Sequence, residues 1–131
     1  VVIRETSGSM SDTELGETSR EITEIAQRCG VHEDRVFILD VDAAVYKARA
    51  LSEKGVLRSA SGGGGTDMRL GLAAVPEVFD KDPELVIVAT DGGTAWPETA
   101  PSFPVVALIT SDGTDTTPDW MPSVPVAGVP A

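Results

Sequence analysis

The chain has 131 residues and a net charge of −11, with 41% hydrophobic and 24% charged residues. This balance is that of an ordinary globular protein, and the length leaves room for one domain only. The acidic charge argues against nucleic acid as a partner, because phosphate contacts require clustered Lys and Arg. We predict a single domain over residues 1–131, cut from a longer protein.

Two further absences bear on location. Cys29 is the single cysteine, so an internal disulfide is impossible and a reducing compartment is expected. No apolar run reaches the roughly 18 residues of a transmembrane helix, and no signal peptide is visible. These features predict a cytoplasmic protein without a membrane partner.

Apolar runs and turn signals predict the strands in chain order. We expect strands at residues 1–3, 35–40, 85–89 and 104–109, an antiparallel edge strand at 43–48, and a last edge strand at 124–129. Continuous apolar runs such as 85–89 are typical of parallel strands covered on both faces.

Two helices are predicted between these strands. Ser11 and Glu14 match the capping box, and Gly30 is a good C-terminal stop, so the first helix lies between them. Its apolar stripe includes Cys29, which we expect in the core. The second helix starts near Thr66 or Asp67.

This order of elements predicts an α/β fold, a Rossmann-like, doubly wound and mainly parallel sheet flanked by helices, with an antiparallel edge strand. In such sheets ligands bind beyond the carboxyl ends of the strands. Residues 5–9, Asp42 and Asp91 all follow predicted strands, so we expect them at the same edge. Arg4 is expected to point outward, and Asp40 to be a plain strand-end residue.

The first stretch at this edge is Glu5-Thr6-Ser7-Gly8-Ser9. In extended chain, residues two apart point the same way, so Glu5, Ser7 and Ser9 can aim three oxygens at one point. Neutral hydroxyls with few carboxylates suit Mg²⁺, which keeps several waters. The alternative is a polar turn before the helix.

Two later stretches complete such a site. Four glycines, 62–65, precede Thr66, whose hydroxyl lies at the mouth of the second helix. Asp91 follows the apolar strand 85–89 and precedes Gly92. The alternatives are that Thr66 is a helix cap and that Asp91 belongs to an ordinary Asp-Gly turn. A phosphate cradle is disfavoured, because the loop lacks the Gly-Lys-Ser/Thr ending of a P-loop.

Together these pieces resemble the metal-ion-dependent adhesion site (MIDAS) of von Willebrand factor A (VWA) domains, whose pattern is Asp-x-Ser-x-Ser, then Thr, then Asp. The closest resemblance is to the compact bacterial VWA-like domain at the C-terminus of predicted metallopeptidases. The block 90–97, Thr-Asp-Gly-Gly-Thr-Ala-Trp-Pro, is the most specific to that subgroup.

The resemblance implies that Ser7, Ser9 and Thr66 give hydroxyls to Mg²⁺ or Mn²⁺, and that Asp91 binds it directly or through water. Glu5 stands where the family has Asp. Its extra methylene moves the carboxylate by roughly 1.5 Å, so it either replaces a water on the metal or crowds the site.

Asp42 and Asp67 are candidates for positioning the metal ligands by hydrogen bonds without binding the ion themselves. For Asp42 an ordinary turn role is an equal alternative.

The resemblance also implies a function. The metal's open position accepts an Asp or Glu carboxylate from a partner protein, and a MoxR-type AAA+ ATPase is the candidate partner, since such ATPases are often encoded beside the subgroup. Two alternatives remain open. One is a structural VWA-like scaffold whose metal site is degenerate through Glu5. The other is a metal-dependent hydrolase, which is disfavoured because the only histidine, His32, lies far from the motifs.

Overall fold

The computed structural model of the chain describes residues 1–8, 10–53, 55–57 and 62–126. Its strands are β1 (Val2–Glu5), β2 (Phe37–Val41), β3 (Arg49–Ala50), β4 (Val86–Thr90), β5 (Val105–Ile109) and β6 (Ser123–Pro125). The helices are α1 (Asp12–Cys29), α2 (Met68–Val78) and a short 3₁₀ turn, Glu33–Arg35.

The six strands form one sheet in the order β3-β2-β1-β4-β5-β6. All neighbouring pairs are parallel except β2 and β3, which are antiparallel. The predicted mainly parallel α/β sheet with an antiparallel edge strand is therefore confirmed. The chain order reverses between β1 and β4, and a crevice forms beyond the carboxyl ends at such a switch point.

Both predicted helix starts are confirmed by their caps. Ser11 and Glu14 form a full capping box at α1, and Gly30 ends this helix in the left-handed conformation with φ of 65°. Asp67 caps α2 by accepting from the Arg69 amide. Among the described residues, no helix has the length and apolar character needed to cross a membrane.

The helices cover opposite faces of the sheet. The α2 face carries the larger core, which packs Met68, Leu72 and Val75 against inward-facing strand residues such as Ile3, Leu39 and Val88. On the α1 face, Ile22 and Ala26 pack against Val2 and Ile38. Successive residues of a strand alternate between these two layers, so β1 delivers Ile3 to one core and its neighbours to the other.

The strand ends differ from the prediction. β1 continues two residues beyond Ile3 to Glu5, and the antiparallel edge strand is Arg49–Ala50 rather than 43–48. Within 43–48 only Val45 forms a bridge, to Val41. The last strand is Ser123–Pro125, and residues 127–129 of the predicted strand lie outside the described residues.

Arg4 and Asp40 were wrongly predicted to be strand-end residues without a buried role. Arg4 is 1% exposed and Asp40 is 2% exposed. They are direct neighbours on β1 and β2, where Arg4 binds both carboxylate oxygens at 2.7 and 2.9 Å. Arg49 binds the same carboxylate at 2.9 Å. A bidentate pair of this kind satisfies charges that burial would otherwise make costly.

Cys29 was wrongly expected in the core; it is exposed. The buried face of α1 consists of Glu14, Glu17, Thr18, Ile22 and Ala26. At 3.6 residues per turn, position 29 lies on the same side of α1 as Thr18 and Ile22, but it is in the last turn, where residues 27–31 are all exposed. The prediction failed because burial along this face ends at Ala26, whereas the helix continues to Cys29.

The Arg4–Asp40 pair generates a stability prediction. Asp40→Asn leaves the Arg4 guanidinium buried without its counter-charge, so we expect a loss of about 3 kcal/mol in the free energy of unfolding. Urea denaturation measures it. The matched control is Arg28→Ala, which breaks the exposed Arg28–Glu24 pair and should change stability by less than about 1 kcal/mol. A loss in Asp40→Asn as small as the control's would contradict a structural role for the pair.

Candidate metal-binding site

Glu5 is the centre of the candidate site. It ends β1, is 0% exposed, and lies at the switch point, where β1 meets β4. Its Oε1 accepts a hydrogen bond from the Thr90 hydroxyl and its Oε2 accepts one from the Ser7 hydroxyl. The carboxylate therefore ties the end of β4 to the loop that follows β1.

Thr90 connects this carboxylate to the turn that carries Asp91. The Gly92 amide donates to the Thr90 hydroxyl oxygen at 3.0 Å, and the Gly93 amide donates to the Asp91 carboxylate at 2.8 Å. Gly92 has a φ of 84°, and a Cβ there would lie 1.7 Å from the Thr114 carbonyl oxygen. Only glycine fits this turn, so the partly buried Asp91 is presented at a fixed place.

The glycine loop packs directly against the loop after β1. The Gly8 amide donates to the Gly64 carbonyl at 2.9 Å. At Gly62, φ is 128° and a Cβ would lie 2.3 Å from the Thr6 hydroxyl. The close approach of the two backbones depends on the absence of side chains at these positions.

Asp42 holds the glycine loop, residues 62–65, in place by hydrogen bonds. It is buried and accepts hydrogen bonds from the Gly64 amide at 3.0 Å, the Ala44 amide at 2.8 Å and the Tyr46 hydroxyl at 3.3 Å. Burial raises the pKa of Asp42, but the hydrogen bonds from Gly64, Ala44 and Tyr46 outweigh it and leave the pKa below its ordinary value of 3.8. The ionised carboxylate is thus the form that supports the loop.

Thr66 lies between the glycine loop and the turn after β4. The next amide, of Asp67, donates to the Asp42 carbonyl at 2.9 Å, and the Met68 amide donates to the Thr94 hydroxyl at 2.9 Å. These two bonds fix the start of α2 against the loop after β2 and the turn after β4. Thr66 itself is partly buried.

The Asp67 carboxylate contacts Arg69 in the described hydrogen bonds. Its carboxylate binds the Arg69 guanidinium at 2.9 and 3.0 Å, and this contact lowers the pKa of Asp67. Asp67 starts α2 and positions Thr66 through its backbone, whereas Asp42 is the carboxylate that contacts the loop.

The structure therefore gathers four of the predicted ligand residues, Glu5, Ser7, Thr66 and Asp91, around one end of the sheet; Ser9 lies outside the described residues. Within the described ranges, no group of three or more His, Cys, Asp and Glu is placed to hold a metal. The donor set is rich in hydroxyls and poor in carboxylates. This composition fits a hard ion that retains water, such as Mg²⁺, and does not fit zinc.

Three further contacts had no clear sequence signal. The Trp96 indole donates to the Thr116 hydroxyl at 2.9 Å, and this hydroxyl donates to the Gly92 carbonyl at 2.6 Å. The Trp120 indole donates to the Pro97 carbonyl at 3.1 Å. Both indoles also pack against the α2-face core. The loop after β5 therefore braces the loop that presents Asp91.

Two further buried carboxylates, those of Glu14 and Glu17, fasten the start of the loop after β5 to α1. The Thr110 hydroxyl donates to Glu14 at 2.5 Å, and the Ser111 hydroxyl donates to Glu17 at 2.6 Å. Glu14 was predicted only as part of the helix cap. Sequence reasoning missed Thr90, which contacts Glu5 and the Asp91 turn, and Thr110, which contacts α1 and, among the described hydrogen bonds, none of the candidate ligands. The one available signal was a threonine at the exit of each apolar strand.

Comparison with known proteins places the chain among related folds. The family described as VWA-like domain (DUF2201) matches residues 1–126. A crystal structure of an aerotolerance-related membrane protein from Bacteroides fragilis, carrying multiple mutations to serines, is similar with a TM-score of 0.65 and 17% identity. The likeness covers 82% of this chain and 65% of that one, and at this identity it shows a shared fold only. Curated proteins give no match.

The lowered pKa of Asp42 generates a pH prediction. A carboxylate with a folded pKa below its unfolded value stabilises the fold above the unfolded value, and this contribution disappears as the pH falls through the folded pKa. Asp42→Asn should lower the urea midpoint at neutral pH, and the difference from the parent should shrink as the pH falls below about 4. Urea titrations across this range measure it.

Asp119→Asn, at an exposed position, is the matched control and should leave the midpoint unchanged at every pH. A pH-independent gap between the parent and Asp42→Asn would show that the charge of Asp42 is irrelevant to its role.

Proposed function

We propose that this chain, which belongs to the VWA-like domain family, is a non-enzymatic interaction module that binds Mg²⁺ or Mn²⁺ and, through the ion, a carboxylate of a partner protein. The observation that carries the proposal is the Ser7 hydroxyl held by the buried Glu5 carboxylate, beside Asp91 and at the switch point of the sheet. The proposal places the Ser7 and Thr66 hydroxyls and the Asp91 carboxylate around one ion there.

The orientation of Ser7 supports a cation. A hydroxyl that donates its proton to a carboxylate presents oxygen lone pairs on its other side, and those are what a metal ion binds. Thr66 and Asp91 add a second hydroxyl and a carboxylate from the two neighbouring loops. Ser9 is expected to contribute the third hydroxyl. When bound, the ion would supply a positively charged, partly hydrated position at the protein surface.

The charge of the chain explains why the ion would be needed. At a net charge of −11, the protein repels an acidic partner at long range. A divalent cation reverses the sign at one point, and an Asp or Glu of the partner can replace one of its waters. The resulting contact depends on both the metal and the partner's charge.

The surroundings favour recognition over catalysis. The nearest surface residues include Gly8, Gly64 and Gly93, all exposed, which leave room for a partner's main chain to approach. His32 caps the 3₁₀ turn before β2, so it lies beyond the amino ends of the strands, opposite to the site. The site therefore has no histidine, and the proposal uses its carboxylates, Glu5 and Asp91, to orient Ser7 and to bind the ion and not as general bases.

Metal titration tests this proposal. Isothermal titration of metal-stripped protein with Mg²⁺ and with Mn²⁺ should give saturable binding at one site. Asp91→Ala should abolish it, because the carboxylate is the only charged ligand that the proposal places directly on the ion. Asp119→Ala, which removes an exposed carboxylate from the loop after β5, is the matched control and should bind like the parent.

The partner is tested with the same two variants. A purified MoxR-type AAA+ ATPase is the probe, and binding should be lost with Asp91→Ala and retained with Asp119→Ala. The variants replace chelation here, because the ATPase itself requires metal.

A folded parent protein that shows no heat with either ion would refute the metal-dependent module and leave a metal-free VWA-like scaffold as the account of the fold.

A further inference from the structure

We propose that Thr90 adapts this site to Glu5. Its hydroxyl holds the Glu5 carboxylate by a hydrogen bond from β4, so that Glu5 orients Ser7 and does not itself occupy the ion's position. This inference rests on the proposed metal site. It assigns to Thr90 a positioning role, exerted on Ser7 through Glu5 and on Asp91 through Gly92.

The first step is the register of the strands. Arg4 pairs with Ala89 across β1 and β4, so the next residues, Glu5 and Thr90, are lateral neighbours at the carboxyl end of the sheet. Side chains at laterally matched positions of adjacent strands point to the same face. Thr90 is 0% exposed, and its hydroxyl is directed at Glu5 Oε1.

The second step is the geometry of the carboxylate. A buried carboxylate requires hydrogen-bond donors, and Glu5 receives one on each oxygen, from Thr90 and from Ser7. A bond from β4 on one oxygen turns the other oxygen toward Ser7. The longer side chain of Glu is thereby used to span the two strands, which removes the expected crowding of the ion.

The third step links Thr90 to Asp91. The same hydroxyl that donates to Glu5 accepts from the Gly92 amide at 3.0 Å. One oxygen atom therefore fixes both the carboxylate that orients Ser7 and the turn that presents Asp91. Groups that orient metal ligands typically change metal affinity by about 10–100-fold when they are removed.

Thr110 provides a control of the same chemistry on the next strand. It is also buried at 2% exposure, its amide donates to the Thr90 carbonyl at 3.0 Å, and its hydroxyl donates to a buried carboxylate, that of Glu14. It has no contact with Glu5 among the described hydrogen bonds. Thr110→Val thus removes an equivalent bond without touching the chain of contacts from Ser7 to Asp91.

The test compares Thr90→Val, Thr90→Ser and Thr110→Val by Mg²⁺ titration, and by hydrogen exchange of the Gly92 amide without metal. Thr90→Val should weaken Mg²⁺ binding about tenfold or more and speed exchange of the Gly92 amide. Thr90→Ser should restore both. Thr110→Val should lower the denaturation midpoint to a similar extent while metal affinity stays within about twofold of the parent.

The inference is overturned if Thr90→Val binds Mg²⁺ as tightly as the parent, or if Thr90→Val and Thr110→Val weaken binding equally, because either result makes Thr90 merely structural. If the parent itself fails to bind Mg²⁺, the proposed function fails. In that case unchanged Gly92 exchange in Thr90→Val overturns the positioning of the Asp91 turn as well, and faster exchange restored by Thr90→Ser supports it.

Discussion

The Glu5 carboxylate is the constraint around which this end of the molecule is built. A buried carboxylate is costly unless donors surround it, and the chain supplies donors from two directions, Ser7 in its own loop and Thr90 on β4. Because β1 and β4 are neighbours at the switch point, satisfying one charge also joins the two halves of the sheet. The glycine loop and the Asp91 turn then have a fixed frame to pack on.

Adjacent residues of β1 send opposite charges to opposite faces. Arg4 meets Asp40 on the α1 face, and Glu5 meets hydroxyls at the end of the other face. Apolar packing through Val2 and Ile3 comes first in the strand, and the polar residues follow at its carboxyl end. The buried side chains of β1 therefore change from apolar to polar along the strand. This confines the polar network to the edge of the sheet where a ligand would bind.

Sequence patterns were sufficient for the fold and insufficient for the polar contacts. Apolar runs and the Ser11 cap predicted the parallel sheet and the start of α1, because those signals are local. The partners of Arg4 and Glu5 lie 36 and 85 residues away, and no local pattern specifies such a pairing. Cys29 was misplaced because the apolar stripe of α1 does not show at which residue burial along the helix ends, and burial ends at Ala26.

The most direct test of the central claim is a Mg²⁺ titration of ¹⁵N-labelled protein followed by amide chemical shifts. The account predicts saturable shifts confined to the three loops at the carboxyl ends of β1 and β4 and the start of α2, including Gly8, Gly64, Gly92 and Gly93. Non-saturating shifts spread over exposed acidic positions such as Glu33, Asp80 and Glu98 would show only diffuse attraction of cations to an acidic surface. That result would contradict a metal site at Ser7, Thr66 and Asp91 oriented by Glu5.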